Sequence, residues 1–335
     1  MNTKADAYLG DYQGEKAVWL KAGRYEAALL PEIGGNLIAF RDTENGYAIL
    51  REPASDEMDA FKANPGVHGI PVLFPPNRFE DGKFPWNGRV LQLPVNETDR
   101  GNHLHGFLYT AAWNVDQVGV NGEESYAVIS ITVTEDHPIY RHLPFSFTFQ
   151  LRYTLHPTLG LAQHVLIRNL GDEPLPCLLA FHTAINAPFV PGSSADDYKV
   201  KLTIGDRWAM TERMLPTGSF QALAPEEEQL RDNGVYPYFA SMDNHYTAKP
   251  QGGRNRMELT DARAGIKLVY DAGTAYKQWM IWNNGGEVGF FCPEPQMNLV
   301  NAPNVDLPAE EIGLISLAKG ELFEETSRLY LLSND

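Results

Sequence analysis

Hydrophobic and polar residues alternate with a period of two along much of the chain. In "PFSFTFQLRYTL", residues 144–155, aromatic and aliphatic side chains alternate with Ser, Thr, Gln and Arg. The segment "YAVISITVTED", residues 126–136, alternates in the same way. Because successive side chains of a strand point to opposite faces of a sheet, this pattern predicts half-buried antiparallel β-strands.

Further short apolar runs, separated by turn signals such as "TENG", "HPTLG" and "NNGG", predict more strands. They are 24–30, 36–42, 161–170, 177–185, 276–284 and 287–293. Helical signal is limited to "PASDEMDAFKAN" and "APEEEQLRDN", residues 53–64 and 224–233. No linker or repeat divides the chain, so we predict one all-β domain over residues 1–335. It is a large antiparallel β-sandwich with a few short helices.

Composition narrows the range of partners. The formal net charge of -16 disfavours nucleic acid and anionic membranes as partners. The two cysteines, Cys177 and Cys292, lie in apolar runs and are expected to be reduced core thiols. The first twenty residues show no signal-peptide pattern, and no stretch is long enough to span a membrane. We therefore expect a cytoplasmic protein, either a monomer or a homodimer.

Familiar cofactor and nucleophile motifs are absent from the sequence. There is no Walker A loop, no GxGxxG after a strand, no GxSxG elbow and no CxxC pair. We expect no cofactor. The proline- and glycine-rich segment from Gly66 to Gly106 is the longest loop-like region, and loops of β-sandwiches often carry the functional site.

Glu294 is the single charged residue of "FFCPEPQMNLVNAPN", residues 290–304. Pro293 and Pro295 restrict the backbone on either side. Desolvation by Phe290, Phe291 and nearby tryptophans would raise the pKa of this carboxyl towards the range of a useful general base. A buried carboxylate without a partner costs several kcal/mol, so such a residue indicates function.

His182 stands in the apolar run "AFHTAINAPF". If this run is a strand, two interpretations are open. The histidine is either a core residue that hydrogen-bonds a backbone carbonyl, or a general acid near neutral pH.

Arg78 follows two prolines in "PPNRFEDGKF". A rigidly held arginine can donate several hydrogen bonds to hydroxyl groups. The alternative is a surface arginine that pairs with Glu80 or Asp81, and from this segment alone the alternative is the better supported.

The pair His103 and His105 in "NHLHG" could hold a metal ion if both lay on one strand face. The third ligand would then come from His182 or Glu294. An HxH pair alone is a weak signal, and we expect no metal. In "ASMDNHYTAK", Asp243, Asn244 and His245 are first explained as a turn or a cap.

Taken together, these segments resemble the aldose 1-epimerase (galactose mutarotase) family. The segments "PPNRFEDGKF", "GRVLQLPVNE", "NHLHG", "FHTAINAPF" and "CPEPQMNLVNAPN" match in order and spacing over nearly the whole chain. The stretch "QWMIWNNGGEVGFFCPEPQ" looks like the bacterial branch of mutarotase-related proteins. The resemblance implies a large antiparallel β-sandwich that interconverts the α and β anomers of a free hexose or pentose without metal or nucleotide.

The resemblance also implies roles for individual residues. Glu294 matches the family's general base and His182 its general acid, while Arg78 and His105 match the residues that hold the substrate. Asp243 is the candidate for the aspartate that binds sugar hydroxyls. Three further substrate-binding candidates are Asn77, Gln296 and Trp282, the last of which could pack on a sugar face or serve only the core.

Two features of the sequence depart from the better-characterised members of the family. Those members have two glycines after the histidine that His105 matches, whereas here Gly106 is followed by Phe107. The flanks of His182 also differ. The alternative functions are a sugar-binding or sensing protein without turnover, and another carbohydrate enzyme such as a hydrolase or lyase. Hydrolysis usually needs two opposed carboxylates, and the sequence offers one obvious candidate.

Overall fold

The computed structural model describes residues 4–333, which fold mainly into antiparallel β-strands. The strands of the first half are β1 Asp6–Tyr12, β2 Glu15–Ala22, β3 Tyr25–Leu30, β4 Asn36–Asp42, β5 Tyr47–Ala48, β6 Val72–Leu73, β7 Arg78–Glu80, β8 Lys83–Trp86, β9 Arg89–Gln92, β10 Asn102–Leu104, β11 Asn114–Asn121, β12 Glu124–Val133, β13 Phe147–His156 and β14 Gly160–Asn169. The remaining strands are β15 Leu175–Cys177, β16 Ala180–Phe181, β17 Ile185–Ala187, β18 Tyr198–Leu202, β19 Ile204–Met210, β20 Pro216–Gln221, β21 Asp243–Ala248, β22 Arg256–Asp261, β23 Ile266–Asp271, β24 Gln278–Trp282, β25 Gly289–Gln296, β26 Ile315–Leu317 and β27 Leu322–Ser333. Two α-helices occur in residues 4–333, α1 Met58–Ala63 and α2 Pro225–Asp232.

Three larger sheets build the molecule. One has the order β1-β2-β3-β4-β5, and the second has the order β11-β12-β13-β14-β27-β23-β22-β18. The third runs β20-β19-β21-β24-β25-β16-β6, with β17 also paired to β25. This third sheet carries the site described below.

The second and third sheets pack face to face over a common hydrophobic core. Side chains of β13 are alternately buried and half-buried along its whole length, as a strand with one face on the core requires. Across the interface the rings of Tyr270 and Trp279 lie 6.2 Å apart, edge to face. The Thr183 hydroxyl donates to the Tyr270 hydroxyl over 3.3 Å. Thr183 and Trp279 therefore mark the core-facing side of the third sheet, and their immediate neighbours point to its other side.

The predicted all-β sandwich is confirmed, and most predicted strands are present close to their expected limits. The run 177–185 is the exception. It forms the end of β15, the short strand β16 and the start of β17, so the expectation that His182 lies within a strand is wrong. The Gly66–Gly106 segment is not one long loop, because it contains the short strands β6 to β10.

Both cysteines are free and buried, as expected for core thiols. Among residues 4–333, none of the helices has the length and apolar character that a transmembrane span needs.

Candidate active site

The strand β25 carries Glu294 between two prolines and lies inside a sheet, where proline is unusual. On one side β25 pairs with β24, with Met280 opposite Glu294 and Ile281 opposite Pro293. Proline cannot donate to a ladder, so the hydrogen-bonded pair on this side is Met280 with Glu294. Since the backbone groups of successive residues face opposite neighbours, the ring nitrogens of Pro293 and Pro295 face the other neighbour of β25.

On this other side, β25 has no continuous partner strand next to Pro293 and Pro295. β16 pairs with β25 through Ala180 and Gln296, and β17 rejoins it through Ile185 and Phe291. The two pairs share one register, which places His182 directly opposite Glu294. The backbone N–H of His182 donates instead to the carbonyl oxygen of Pro71, the residue before β6, over 3.0 Å. The missing proline donors thus explain why the strand is broken at His182.

His182 and Glu294 meet on the face of the sheet that points away from the sandwich core. The His182 Nε2 atom lies 3.2 Å from Glu294 Oε1. This contact is not aligned as a hydrogen bond, and neither carboxylate oxygen of Glu294 has a hydrogen-bond partner among the described residues. The pair is therefore close enough to share a proton and has unused hydrogen-bonding capacity towards a ligand.

Burial shifts the pKa values of Glu294 and His182 in opposite directions. Glu294 is fully buried, and burial, followed by the nearby charge of Asp243, raises the pKa of its carboxyl well above the usual value against the opposing effect of Arg78. Burial lowers the pKa of His182 to about 4, and the Arg78 charge adds to this decrease. The carboxyl group therefore gains proton affinity relative to the imidazole, so the two groups can compete for one proton.

A cavity of about 470 Å³ opens above this pair, within the size range of small-molecule sites. Its walls come from the α1 region, the Gly66–Gly106 segment, and strands β21 and β24 of the third sheet. The lining residues are Ala63, Asn64, Gly66, Val67, Arg78, Asn96, Leu104, His105, Tyr109, His182, Asp243, Met280 and Trp282. Five residues predicted from sequence are among them, and Glu294 lies beneath the cavity against His182.

Arg78 is buried, and its side chain is only 7% exposed. Its Nε lies 3.0 Å from the Glu97 carboxylate and its Nη2 lies 3.4 Å from that of Asp243. The surface alternative for Arg78 is wrong, because Glu80 and Asp81 pair with Arg213 instead. The guanidinium is therefore a cavity group whose positive charge is balanced by two carboxylates.

His103 and His105 do not share a strand face. β10 ends at Leu104, and His105 has a left-handed φ of 68° that turns its ring into the cavity. His103 donates from Nδ1 to the carbonyl oxygen of Pro94 over 2.7 Å and packs against aromatic rings. The geometry assumed for the HxH metal pair is thus wrong, and no cluster of three possible metal-binding side chains occurs in residues 4–333.

The departure at Phe107 does not reach the cavity. Its ring stacks on His142, with centroids 5.1 Å apart and an interplanar angle of 6°. Gly106 meets the family pattern for a steric reason: it has φ +66°, and a Cβ atom there would lie 2.3 Å from the Phe74 carbonyl oxygen. This close approach fixes the turn that presents His105.

Asp243 opens β21, so the turn or cap explanation is wrong for it. It stands opposite Trp282 in the ladder, and both side chains reach the cavity. The indole of Trp282 is half-buried and contacts the His182 ring, with centroids 6.1 Å apart. One wall therefore combines a carboxylate with an aromatic surface, a pairing that suits a sugar ring. On the same face of β21, His245 is buried, and its burial lowers its pKa to about 3.

Asn77 and Gln296 are buried and lie outside the cavity lining. The Asn77 side chain donates from Nδ2 to the Met280 sulfur and accepts from Arg78 Nη1 over 3.4 Å. Gln296 donates to the carbonyl oxygen of Asn298 over 2.6 Å. The structure thus places both behind the cavity wall, and their direct contact with substrate stays a prediction.

A larger groove of about 750 Å³ lies beside Glu80, Arg213 and Asn301. It is a poor candidate for catalysis. The Arg213 guanidinium is already occupied by Glu80, Asp81 and main-chain carbonyl groups, and it ties neighbouring loops together.

Several cavity residues were missed by sequence reasoning. Met280 pairs with Glu294 in the β24–β25 ladder. Tyr109 lies near His105, with ring centroids 6.2 Å apart. The strand period could have identified Met280, because it is two residues from Trp282 on β24. No local signal in the sequence points to Glu97 as the partner of Arg78, since their contact depends on how the Gly66–Gly106 segment folds back on itself.

Comparison with known proteins agrees with this fold. The model of the aldose 1-epimerase family matches residues 16–330. The chain therefore belongs to the aldose 1-epimerase family, as its resemblance implied.

Individual relatives support the same classification. A galactose mutarotase-like protein from Clostridium acetobutylicum superposes with a TM-score of 0.95 at 31% identity, covering 99% of this chain and 100% of that one. The fold is also that of a galactose 1-epimerase from Lactobacillus acidophilus NCFM, with a TM-score of 0.73, 16% identity and 99% of both chains covered. The uncharacterized protein YihR of Escherichia coli K12 is 27% identical over 203 residues, 60% of this chain and 59% of YihR, so the match spans less than two thirds of that relative.

Proposed function

We propose that this protein is an aldose mutarotase, an isomerase that interconverts the α and β anomers of a free hexose or pentose. The observation that carries the proposal is the contact of 3.2 Å between His182 Nε2 and Glu294 Oε1 beneath a sugar-sized cavity. Ring opening needs one proton acceptor at the C1 hydroxyl and one proton donor at the ring oxygen. A carboxyl–imidazole pair that holds a single proton supplies both.

The reaction is expected to proceed by ring opening and closure. The acceptor takes the proton from the C1 hydroxyl while the donor gives a proton to the ring oxygen, and the bond between C1 and the ring oxygen breaks. The resulting aldehyde rotates about C1–C2, and the same groups act in reverse to close the ring. Each group returns to its starting protonation state, so the cycle consumes no other reactant.

Sugar binding assigns the two roles. Hydroxyl groups that donate to Glu294 stabilise its carboxylate, so a proton shared by the pair then resides on His182. This gives the carboxylate base and imidazolium acid that the family resemblance implies.

The remaining cavity groups hold the sugar. Arg78, His105 and Asp243 can bond sugar hydroxyls, while Trp282 offers its ring to an apolar sugar face. Glu97 and Asp243 balance the charge of Arg78, which favours an uncharged substrate.

Polarimetry tests this function directly. Catalytic amounts of protein are added to freshly dissolved α-D-glucose and α-D-galactose, and the approach to the equilibrium rotation is followed. We expect a rate above that of buffer for at least one free aldose. A rate equal to the buffer rate on every aldose tried, with sugar binding retained, would instead favour a binding or sensing protein.

A further inference from the structure

Arg78 is held mainly through one edge of its guanidinium. Its Nε lies 3.0 Å and 3.1 Å from the two oxygens of Glu97. The Nη1 and Nη2 contacts, to Asn77 and Asp243, are both longer at 3.4 Å. Charge-assisted bonds are the stronger ones, and shorter contacts are stronger still. Glu97 therefore sets the plane of the guanidinium and leaves Nη1 and Nη2 weakly used, and Arg78 is one of the residues that line the cavity.

Glu97 is itself fixed by its surroundings. Its side chain is 8% exposed and accepts from Arg100 Nη1 over 2.9 Å and from Asn102 Nδ2 over 2.8 Å. Its backbone exchanges two hydrogen bonds with Asn102, at 3.0 Å and 3.1 Å. Although burial acts against ionisation, the Asn102 hydrogen bond and the Arg78 charge keep the pKa of Glu97 below its usual value. The carboxylate is thus a rigid, ionised acceptor.

Glu97 also competes with Asp243 for the same guanidinium. Asp243 is 27% exposed at its side chain and keeps one oxygen, Oδ1, without a hydrogen-bond partner among the described residues. If Glu97 were neutral, the most favourable move for Arg78 would be a closer pair with Asp243. That pair would withdraw both side chains from sugar hydroxyls.

We propose that Glu97 is a positioning residue of this site: it holds Arg78 by the Nε edge and keeps both Arg78 and Asp243 free to bind substrate. Glu97 is not among the residues that line the cavity, and its carboxylate is bonded to Arg78, Arg100 and Asn102. The inference rests on the proposed mutarotase function, which it extends to a residue outside the cavity.

A double-mutant cycle tests the proposal. The variants Glu97→Gln, Arg78→Ala and the double mutant are compared with the wild type for kcat and KM in the polarimetric assay. We expect Glu97→Gln to raise KM about tenfold, as loss of a charge-assisted bond predicts, with a smaller change in kcat because sugar and transition state use Arg78 alike. The double mutant should be no worse than Arg78→Ala alone.

The matched control is Arg213→Ala. This change removes hydrogen bonds to Arg100, Gly101 and Asn102 and alters no hydrogen bond of Arg78. We expect it to lower Tm while KM stays within twofold of wild type. If Glu97→Gln leaves KM unchanged, or if its effect multiplies with that of Arg78→Ala, Glu97 does not act through Arg78 and the proposal is overturned.

Failure of the mutarotase function is distinguishable from failure of this proposal. If the wild type does not accelerate mutarotation, the dissociation constants of glucose and galactose are measured by calorimetry for the same four proteins. A tenfold higher dissociation constant for Glu97→Gln would still support the positioning role, provided that the same change causes no further increase in the Arg78→Ala protein. Equal constants, or no binding by the wild type, would overturn it.

Discussion

At the scale of single residues, the site depends on Glu294 and His182. These two groups compete for a proton because burial raises the proton affinity of Glu294 and lowers that of His182. His182 would titrate near pH 6.5 in solution, and burial lowers its pKa to about 4, whereas burial raises that of Glu294. Because a productive pair holds one proton, the second protonation, which falls on His182, ends activity at low pH.

We therefore predict that kcat/KM, corrected for the buffer reaction, is maintained from pH 7 to pH 5 and falls about tenfold per unit below pH 4. The free-enzyme profile of kcat/KM measures this limb, and a circular dichroism spectrum at each pH checks that the protein is still folded. An acid limb centred near pH 6.5 would mean that His182 is not buried as described. That result would assign the loss of activity at low pH to a histidine whose pKa is not shifted.

Not every residue role could be predicted from local sequence. The functional role of Glu294 was predicted because its proline neighbours indicate a stiff backbone and its aromatic neighbours indicate a desolvated carboxylate. Arg78 alone pointed to the surface, since its nearest acidic neighbours in sequence are Glu80 and Asp81 and its actual partner Glu97 is brought in by folding. The pairing of His182 with Glu294 is likewise a property of sheet register, which one segment cannot reveal.

At the scale of elements, the turn after β10 determines where His105 points. Gly106 approaches the backbone of Phe74 and Pro75, and a Cβ atom there would lie 2.3 Å and 2.5 Å from their carbonyl oxygens. No side chain can avoid this clash by rotating. The turn is therefore set by the backbone, and the cavity wall that carries His105 follows from it.

We predict that Gly106→Ala lowers the free energy of unfolding by about 3 kcal/mol or more, combining a left-handed backbone with the steric clash. The control is Gly88→Ala, where φ is +78° and no atom lies within 4 Å of the added Cβ. It should cost only about 1–2 kcal/mol, the backbone penalty alone. Urea denaturation measures both variants, and equal losses would show that the approach to Phe74 is looser than described.

The strands themselves were largely predictable, because a two-residue period needs only one buried face. β12 and β13 were found from alternation alone. The break between β16 and β17 was not predicted, because 177–185 is mostly apolar and contains no glycine or proline, and the cause of the break, the prolines of β25, lies more than a hundred residues away in the chain. Long-range pairing of this kind is where local patterns lose their predictive power.

At the scale of the whole molecule, several buried histidines resist protonation. Burial lowers the pKa of His68, His103 and His182 to about 4 and that of His245 to about 3. In the unfolded chain these groups take up protons near pH 6.5. The unfolded state then binds more protons than the folded state, so their contribution to stability is present above pH 6.5 and is lost as the pH falls towards 4.

We predict that the free energy of unfolding decreases steadily between pH 7 and pH 5, and that His68→Leu makes the decrease smaller by about 1 kcal/mol. His68 suits this test because it lies outside the cavity lining and neither ring nitrogen has a hydrogen-bond partner among the described residues. Urea denaturation at both pH values gives the comparison. An identical pH dependence in wild type and variant would show that His68 titrates normally in the folded protein.

The overall architecture followed from the sequence at two independent levels, the strand pattern and the family resemblance. Three statements stay predictions: that residues 1–335 form one domain, that the substrate is a free hexose or pentose, and that the protein is a monomer or a homodimer.

The central claim is that Glu294 and His182 exchange protons with the sugar, and the mutarotation rate of Glu294→Gln tests it most directly. Glutamine keeps the size of the side chain and is cheaper to bury than a carboxylate, so the variant should fold. Loss of the acid–base partner is expected to lower kcat by about 10²–10⁴, equivalent to roughly 3–5 kcal/mol of barrier. Polarimetry on an aldose that the wild type turns over, with the folded state checked by circular dichroism, should give a rate close to that of buffer. A folded Glu294→Gln protein that keeps most of the wild-type rate would contradict the mechanism.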